Sequence, residues 1–474
     1  MPININRDPR KTDMPLLDIA SRRTTFSEAA LGYSDEDASR EASRCLNCRK
    51  PDCVNGCPVA VRIPEFIGAI RDGDPARADS IIRETNALPA VCGRVCPQER
   101  QCESLCVRRR SGDPVGIGRL ERYAADWAMS HSDESDAAKR ARAVSIKLGA
   151  RVAVIGSGPA GLSGAGTLAR LGYGVTVFEA LHEPGGVMIY GIPEFRLPKA
   201  LVRREVDALR AMGVEFEMNV VAGKTVSLES LFSEGYSAAL LGTGAGLPMF
   251  LGVPGEMLGG VYSANEFLTR VNLMRAYRFP EWDMPMKRVD RAVVVGGGNV
   301  AMDAARCAVR LGARSVTLVY RRGWDEMPAR AEEIEHAREE GVLFETLANP
   351  VEFIGDDGLL TGARCVRMTL GEPDASGRRR PVEVPGSDFE LECDTAILAV
   401  GTSPNPVLTA ATPELKSGRR GVIEADADTG ATSMPMVYAA GDAVSGAATV
   451  IMAMGGGRRA ALAIHEALRR SAQR

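Results

Sequence analysis

Four cysteines fall within thirteen positions at Cys45, Cys48, Cys53 and Cys57, in the stretch CLNCRKPDCVNGCP. Four more follow at Cys92, Cys96, Cys102 and Cys106, in CGRVCPQERQCESLC. The spacings are C-x2-C-x4-C-x3-C-P and C-x3-C-P-x4-C-x3-C. Thiolates crowded in this way are metal ligands before they are disulfides in a reducing compartment. Zinc favours paired C-x2-C knuckles, often with histidine. The four histidines, His131, His182, His336 and His465, all lie outside these stretches. Close thiolate runs with Cys-Pro steps follow iron–sulfur spacing instead, and predict two [4Fe–4S] clusters. Spacing alone makes each site local, Cys45, Cys48, Cys53 and Cys57 in one and Cys92, Cys96, Cys102 and Cys106 in the other. Cys307, Cys365 and Cys393 stand alone in helix or strand patterns and read as core residues.

Two glycine turns supply the other chemistry. In RVAVIGSGPAGLSGAG a buried β run ends in Gly156-Ser-Gly158-Pro159-Ala160-Gly161 and a helix opens. Such glycines permit a tight turn, close approach to a pyrophosphate and close helix–strand packing, with phosphates held at the helix N-terminus. Glu179 ends the next strand, 18 residues past Gly161, where an acid holds ribose hydroxyls. Gly185-Gly186 follows, placed to pass the same dinucleotide, and Gly441-Asp442 ends a strand near the C-terminus. An FAD site assembled from these distant pieces is predicted. The second turn is Gly296-Gly-Gly298-Asn299-Val300-Ala301, and its following strand ends in Tyr320-Arg321-Arg322 rather than an acid. Arginines there suit a 2′-phosphate, so NADP(H) is predicted over NAD(H). No C-x-x-C or C-x4-C pair lies in either part, which argues against a redox-active disulfide.

These residues need elements to hold them. The chain has 474 residues, enough for about three domains. Residues 1–145 carry the eight clustered cysteines on helical patterns, with a polar connector at 130–150, and predict an all-α iron–sulfur domain. After it, strand–glycine–helix–strand grammar occurs twice, predicting an α/β fold with two Rossmann-like dinucleotide-binding domains. The FAD domain is placed at 146–285 plus 400–474 and the NADPH domain at 286–399, with AALLGTGA and AILAVGTSPNP resembling the crossover strands between domains of the two-dinucleotide-binding flavoproteins. The net charge of −3 gives no pull toward nucleic acid or anionic membrane, and no run of about 18 apolar residues occurs. The N-terminus lacks a signal-peptide pattern, so a cytoplasmic location is expected.

The order of parts, iron–sulfur cysteines, FAD turn, NADP turn, then YAAGD, resembles the family of the small (beta) subunit of NADPH-dependent glutamate synthase. Its relatives include the N-terminal half of dihydropyrimidine dehydrogenase and the large subunit of a bifurcating ferredoxin–NADP oxidoreductase. The resemblance spans essentially the whole chain and rests also on GSGPAGL, PGGVMIYGIPEFRLPK, GGGNVAMD and YRR. It implies two-dinucleotide-binding flavoprotein domains of the disulfide-reductase type. It also implies cross-wired clusters, one on Cys45, Cys48, Cys53 and Cys106, the other on Cys57, Cys96, Cys102 and Glu121, with Cys92 a bystander. Hydride would pass from NADPH to FAD without a catalytic side chain, and electrons would leave singly through the clusters. The implied partner is the large (alpha) glutamate synthase subunit, carrying FMN and the glutamine amidotransferase site, so that glutamine, 2-oxoglutarate and NADPH give two glutamates. An acceptor such as dihydropyrimidine, ferredoxin or polysulfide is the alternative. The Met-Pro start offers no processed cysteine nucleophile, and the basic run CVRRRSG at 106–112 is either a solvated surface or a dock for an acidic partner.

Overall fold

A computed structural model describes residues 5–131, 149–374 and 377–473. Most of the expected connector at 130–150 lies outside the described residues.

The first part is helical, as expected. Its main helices are Ile63–Arg71, Pro75–Arg83, Pro89–Val95 and Ile117–His131, three of them opening with proline in the first turn, where a missing N–H costs nothing. Among the described residues sixteen strands follow in chain order, β1 (Arg151–Ile155), β2 (Gly174–Glu179), β3 (Glu215–Met218), β4 (Tyr236–Leu241), β5 (Leu247–Pro248), β6 (Val261–Ser263), β7 (Arg291–Val295) and β8 (Ser315–Tyr320) among them. The remainder are β9 (Leu343–Thr346), β10 (Ala348–Asp356), β11 (Leu359–Pro373), β12 (Arg379–Glu383), β13 (Phe389–Glu392), β14 (Thr395–Leu398), β15 (Thr402–Ser403) and β16 (Val437–Ala439).

Two parallel five-stranded sheets organise the chain, ordered β16-β4-β1-β2-β3 and β6-β14-β7-β8-β9. β1 and β7 are almost wholly buried, as short β-branched runs covered on both faces must be. The first sheet takes β16 from the C-terminal part, so this fold is discontinuous. The boundary expected at 285/286 does not match the strand pairing. β6 pairs with β14, and Ala264, Phe267, Leu268 and Val271 of the helix Ala264–Asn272 pack with Ala292 and Val294, so residues 261–272 belong to the second fold. Their texture is that of any amphipathic strand–helix step, and no glycine turn marks it. The two crossings pair with each other, β5 antiparallel to β15. A four-stranded antiparallel sheet, β10 to β13, is appended to the second fold.

The helical part shares one core with the first dinucleotide fold, joining Val91, Leu88 and Ile82 to Val154, Leu162 and Met454. The long helix Val450–Ala472 makes this union. It packs on the helix Pro159–Arg170, where a Cβ on Gly457 would overlap the Ala160 carbonyl, and it meets the cysteine segment at Gly455, whose Cβ would lie 2.7 Å from the Pro58 oxygen.

Candidate redox site

The structure sorts the clustered cysteines crosswise. Cys45, Cys48, Cys53 and Cys106 line one cavity, and Cys57, Cys96, Cys102 and Glu121 line a second. This is the grouping implied by the family resemblance, not the two local quartets read from spacing. The reason is a backbone contact between the segments. A Cβ on Gly56 would lie 2.8 Å from the Gln101 oxygen and 3.1 Å from the Cys102 Cα, so the two loops touch there and exchange their last cysteines. Cys92 lines neither cavity. It is buried, with Sγ 3.5 Å from Met454 Sδ and 3.7 Å from Asn86 Oδ1. Among the described residues no three donors close on a single ion-sized point. Each quartet instead surrounds a cavity, and the two cavities share Ile63 and Ile117 as wall.

Glu121 comes from the helix Ile117–His131. That helix meets Pro89–Val95 so closely that a Cβ on Gly93 would lie 2.5 Å from the Arg122 N. Asn86 Nδ2 donates to Glu121 Oε1 at 2.7 Å while its Oδ1 accepts from Leu88 N, fixing the amide. Burial pushes the Glu121 carboxyl up to about 7, with the Asn86 bond opposing it. Burial also pushes the thiols up, Cys57 to about 11 and Cys53 to about 12, the nearby Cys45, Cys106 and Cys48 adding to the shift at Cys53. Such donors ionise together only against compensating metal charge, so the donor set fits a cationic iron core.

The first glycine turn stands at the carboxyl end of β1. Gly156 has φ +98°, and its Cβ would lie 2.5 Å from the Gly242 oxygen, while a Cβ on Gly161 would overlap the Gly156 oxygen. Gly158, which precedes Pro159 and Ala160 of the helix, faces open space. Glu179 sits beside the turn and accepts from Ser157 N (2.8 Å), Ser157 Oγ (2.5 Å) and Leu181 N (2.9 Å). The expected ribose-binding acid therefore also fixes the turn, through Ser157, which sequence reading passed over. Gly186, φ +56°, comes against Gly158, its Cβ 2.7 Å from the Gly158 Cα, and Gly185 N donates to Ser157 Oγ at 3.0 Å. Gly441, φ +71°, abuts Ala160, a Cβ there lying 2.9 Å from the Ala160 Cβ, and Asp442 opens the short helix after β16 with its Oδ1 on Ala448 N. All the residues nominated from distant segments thus meet at one helix N-terminus.

The second turn repeats the plan. Gly296, φ +142°, fits against Ala399 after β14, as Gly156 fits against Gly242 after β4. Gly298 again faces open space, Ala301 is buried and Val300 exposed. Asn299 Oδ1 accepts from Arg330 N at 2.9 Å. At the end of β8 the two arginines part. Arg321 is exposed, whereas Arg322 is buried, donating Nε to the Arg379 oxygen at 2.8 Å and pairing with Asp374 at 2.6 Å. The sequence treats them as equals; the appended antiparallel sheet makes one of them structural.

Side-chain bridges tie the parts together, and these were not legible beforehand. The segment after Gly186 ends in Phe195-Arg196, and Arg196 pairs with Asp303 (2.7 Å) and Glu333 (2.9 Å) of the second fold. From the cysteine side, Arg100 donates to the oxygens of Pro328 (2.9 Å) and Ala329 (3.1 Å), and Arg330 returns donors to the Arg94 oxygen and Gln98 Oε1, both at 3.2 Å. Ala329 N donates to Gly297 O, so the loop pinned by Arg100 lies on the second turn.

Comparison with known proteins agrees with these parts. Residues 22–133 match the family model of dihydropyrimidine dehydrogenase domain II, 4Fe-4S cluster, and residues 150–465 match that of pyridine nucleotide-disulphide oxidoreductase. The glutamate synthase [NADPH] small chain of Azospirillum brasilense is 39% identical, covering 94% of this chain and 92% of that protein. The NADP(+)-dependent formate dehydrogenase subunit beta of Moorella thermoacetica is 41% identical over 88% of this chain, which spans 60% of that longer protein. Among solved structures, Mycobacterium tuberculosis FprA in complex with NADPH has a TM-score of 0.57 at 21% identity, covering 68% of this chain and 85% of that one, which establishes the shared dinucleotide fold. Among the described residues no helix is long and apolar enough to cross a membrane. With its cysteine domain and both dinucleotide folds accounted for along nearly the full length of a small chain, the protein belongs to the glutamate synthase small-chain family of NADPH-dependent iron–sulfur flavoproteins.

Proposed function

We propose that this chain is the NADPH-oxidising, electron-input subunit of a cytoplasmic glutamate synthase. Its FMN-bearing large subunit would use the electrons to convert glutamine and 2-oxoglutarate into two glutamates. The observation that carries the reading is the line of sites. The Gly441-Asp442 step leads into the helix Val450–Ala472, whose Ile451 lines the cavity of Cys57, Cys96, Cys102 and Glu121, and that cavity shares a wall with the one lined by Cys45, Cys48, Cys53 and Cys106. The inner quartet thus adjoins the first dinucleotide fold, and the outer quartet lies nearer the surface.

The residues fit two [4Fe–4S] clusters, one on four thiolates and one on three thiolates and a carboxylate. Gly158, with Gly156, Gly161, Glu179, Gly186 and Asp442 around it, fits the pyrophosphate and ribityl region of FAD, and Gly298, with Gly296, Asn299 and Ala301, fits that of NADP(H). When bound, NADPH supplies a hydride to the flavin and the clusters carry electrons onward singly, the chemistry being the cofactors' own. The protein orients them: Arg196 joins the flavin-side segment to the second fold, and the Arg100 and Arg330 contacts hold the nucleotide turn against the cluster domain. No acid–base side chain is needed for this transfer.

The arginines predict different outcomes. Arg321→Ala weakens NADPH about tenfold or more while leaving NADH unchanged, since only a 2′-phosphate contact is lost. Arg322→Ala instead removes the ion pair to Asp374 and the bond to the Arg379 oxygen, and costs about 1–3 kcal/mol of stability. KM for both nucleotides, with thermal unfolding of each variant, checks this; equal effects on both nucleotides in Arg321→Ala would remove the 2′-phosphate role.

The formate dehydrogenase relative supports a second reading, the same scaffold serving another acceptor. The deciding experiment is anaerobic purification with iron, zinc and FAD assayed, NADPH titration of the visible spectrum, and co-purification with the large subunit. About eight irons and one FAD, with the flavin band bleached by NADPH and a stable complex formed, are expected. Zinc in place of iron, or a flavin indifferent to NADPH, overturns the electron-input reading. Bleaching without a complex favours the other acceptor.

A further inference from the structure

The outer quartet opens on an unusual patch of surface. Leu46, next to Cys45, and Leu105, next to Cys106, are 39% and 45% exposed and both line the outer cavity. Apolar side chains standing free beside a functional group mark contact sites more often than isolated surface leucines do. On the two segments that carry them Arg49, Lys50, Arg109 and Arg110 are all exposed, against the exposed acids Asp52 and Asp113, while the nearby Glu65 is paired with Arg62. The inner quartet is more enclosed, with Cys96, Cys102 and Glu121 buried and Cys57 alone half-buried. Transfer between redox centres falls off steeply with distance, so a partner must seat close to the outer quartet.

We propose that this face, Leu46 and Leu105 with Arg49, Lys50, Arg109 and Arg110 on the same two segments, docks an acidic surface of the electron-accepting protein; the inference rests on the electron-input reading. The chain as a whole carries a net charge of −3, so the basic rim is a local departure that general attraction to anions does not explain. A small apolar centre with a charged rim suits a specific, salt-sensitive contact in which charge complementarity sets encounter rate and orientation. None of the four cations is a cofactor ligand, so their removal tests docking apart from electron input.

The test uses the full-length holoprotein and the purified large glutamate synthase subunit, with affinity measured at low and high salt. Wild-type affinity falls about tenfold or more as salt rises from about 50 to about 500 mM. The combined variant Arg49→Glu, Lys50→Glu, Arg109→Glu and Arg110→Glu loses about 100-fold at low salt, with iron content and NADPH bleaching of the flavin unchanged. Affinity indifferent to salt, or a variant of intact iron content that binds like wild type, overturns the proposal. The salt series needs no variant and decides the matter alone if the variant loses iron. If the large subunit does not bind at all, the glutamate synthase reading fails separately, and an acidic ferredoxin becomes the probe. Its NADPH-driven reduction, fast at low salt and lost at high salt and in the variant, then supports the face; absent or salt-indifferent reduction overturns it.

Discussion

Cys106→Ser removes about four iron atoms per chain and leaves the flavin bound, whereas Cys92→Ser keeps all the iron. Spacing alone makes the opposite prediction for Cys92, so the pair of variants separates crossed from local quartets. Cys106 Sγ belongs to the cavity of Cys45, Cys48 and Cys53, and the loop contact at Gly56 is what brings it there. With one thiolate gone, the outer quartet has no described substitute donor lining its cavity except the acid Asp52 at its rim. Binding free energy of a metal centre is also folding free energy, so the opening helices of Cys106→Ser should melt earlier than in the intact protein. Cys92→Ser exchanges a buried thiol beside Met454 Sδ for a hydroxyl, at about 1–2 kcal/mol. Iron assay and low-temperature EPR of the NADPH-reduced variants check both. If Cys92→Ser loses half the iron and Cys106→Ser none, the crossed assignment is wrong.

How much of this could be seen beforehand depended on whether the physics was local. Each glycine turn is written within a dozen residues, because strand, turn and helix all obey rules of short range, and both turns fold as expected. Gly441-Asp442 follows a strand that needs a sheet to join, and β16 joins β4. What failed was partnership across distance. The strand β6 is three residues long, and only its pairing with β14 assigns it to the second fold. Arg321 and Arg322 differ solely because Asp374, some fifty residues on, captures one of them. Asn86, Gln98 and Ser157 act through side-chain hydrogen bonds to residues 22 to 232 positions away, and nothing in their immediate neighbours marks them. The buried set Arg196, Asp303, Arg306, Glu333 and Glu340 is of the same kind. Its members, Arg196 in a turn and the others on or at the end of helices, look like ordinary surface charges until burial of their side chains forces each to find a partner.

Gly158→Ala weakens flavin retention about 10–100-fold in a chain that still folds, and Gly298→Ala raises by a similar factor the NADPH needed to bleach the flavin. Both glycines have backbone angles that alanine adopts freely, φ −67° at Gly158 and −92° at Gly298. A Cβ built on either meets no protein atom within 4 Å. Neither glycine is therefore required by the fold, and alanine there changes stability by only about 0.5 kcal/mol. The space a methyl would enter is where the backbone must approach a pyrophosphate at a helix N-terminus. An obstructed approach costs affinity by about 10–100-fold, or about 1.4–2.8 kcal/mol. Gly161→Ala serves as the contrast. Its Cβ would overlap the Gly156 oxygen, so the turn itself must move, at about 3 kcal/mol or more, and flavin and stability fall together. Flavin content, thermal unfolding and the NADPH-titrated spectrum of the three variants distinguish the cases. Full flavin retention in Gly158→Ala would remove the first turn from the FAD site, and normal bleaching in Gly298→Ala would remove the second from the NADP(H) site. The two open glycines thus separate the nucleotides in one chain, since each reports on a single turn while the other stays intact.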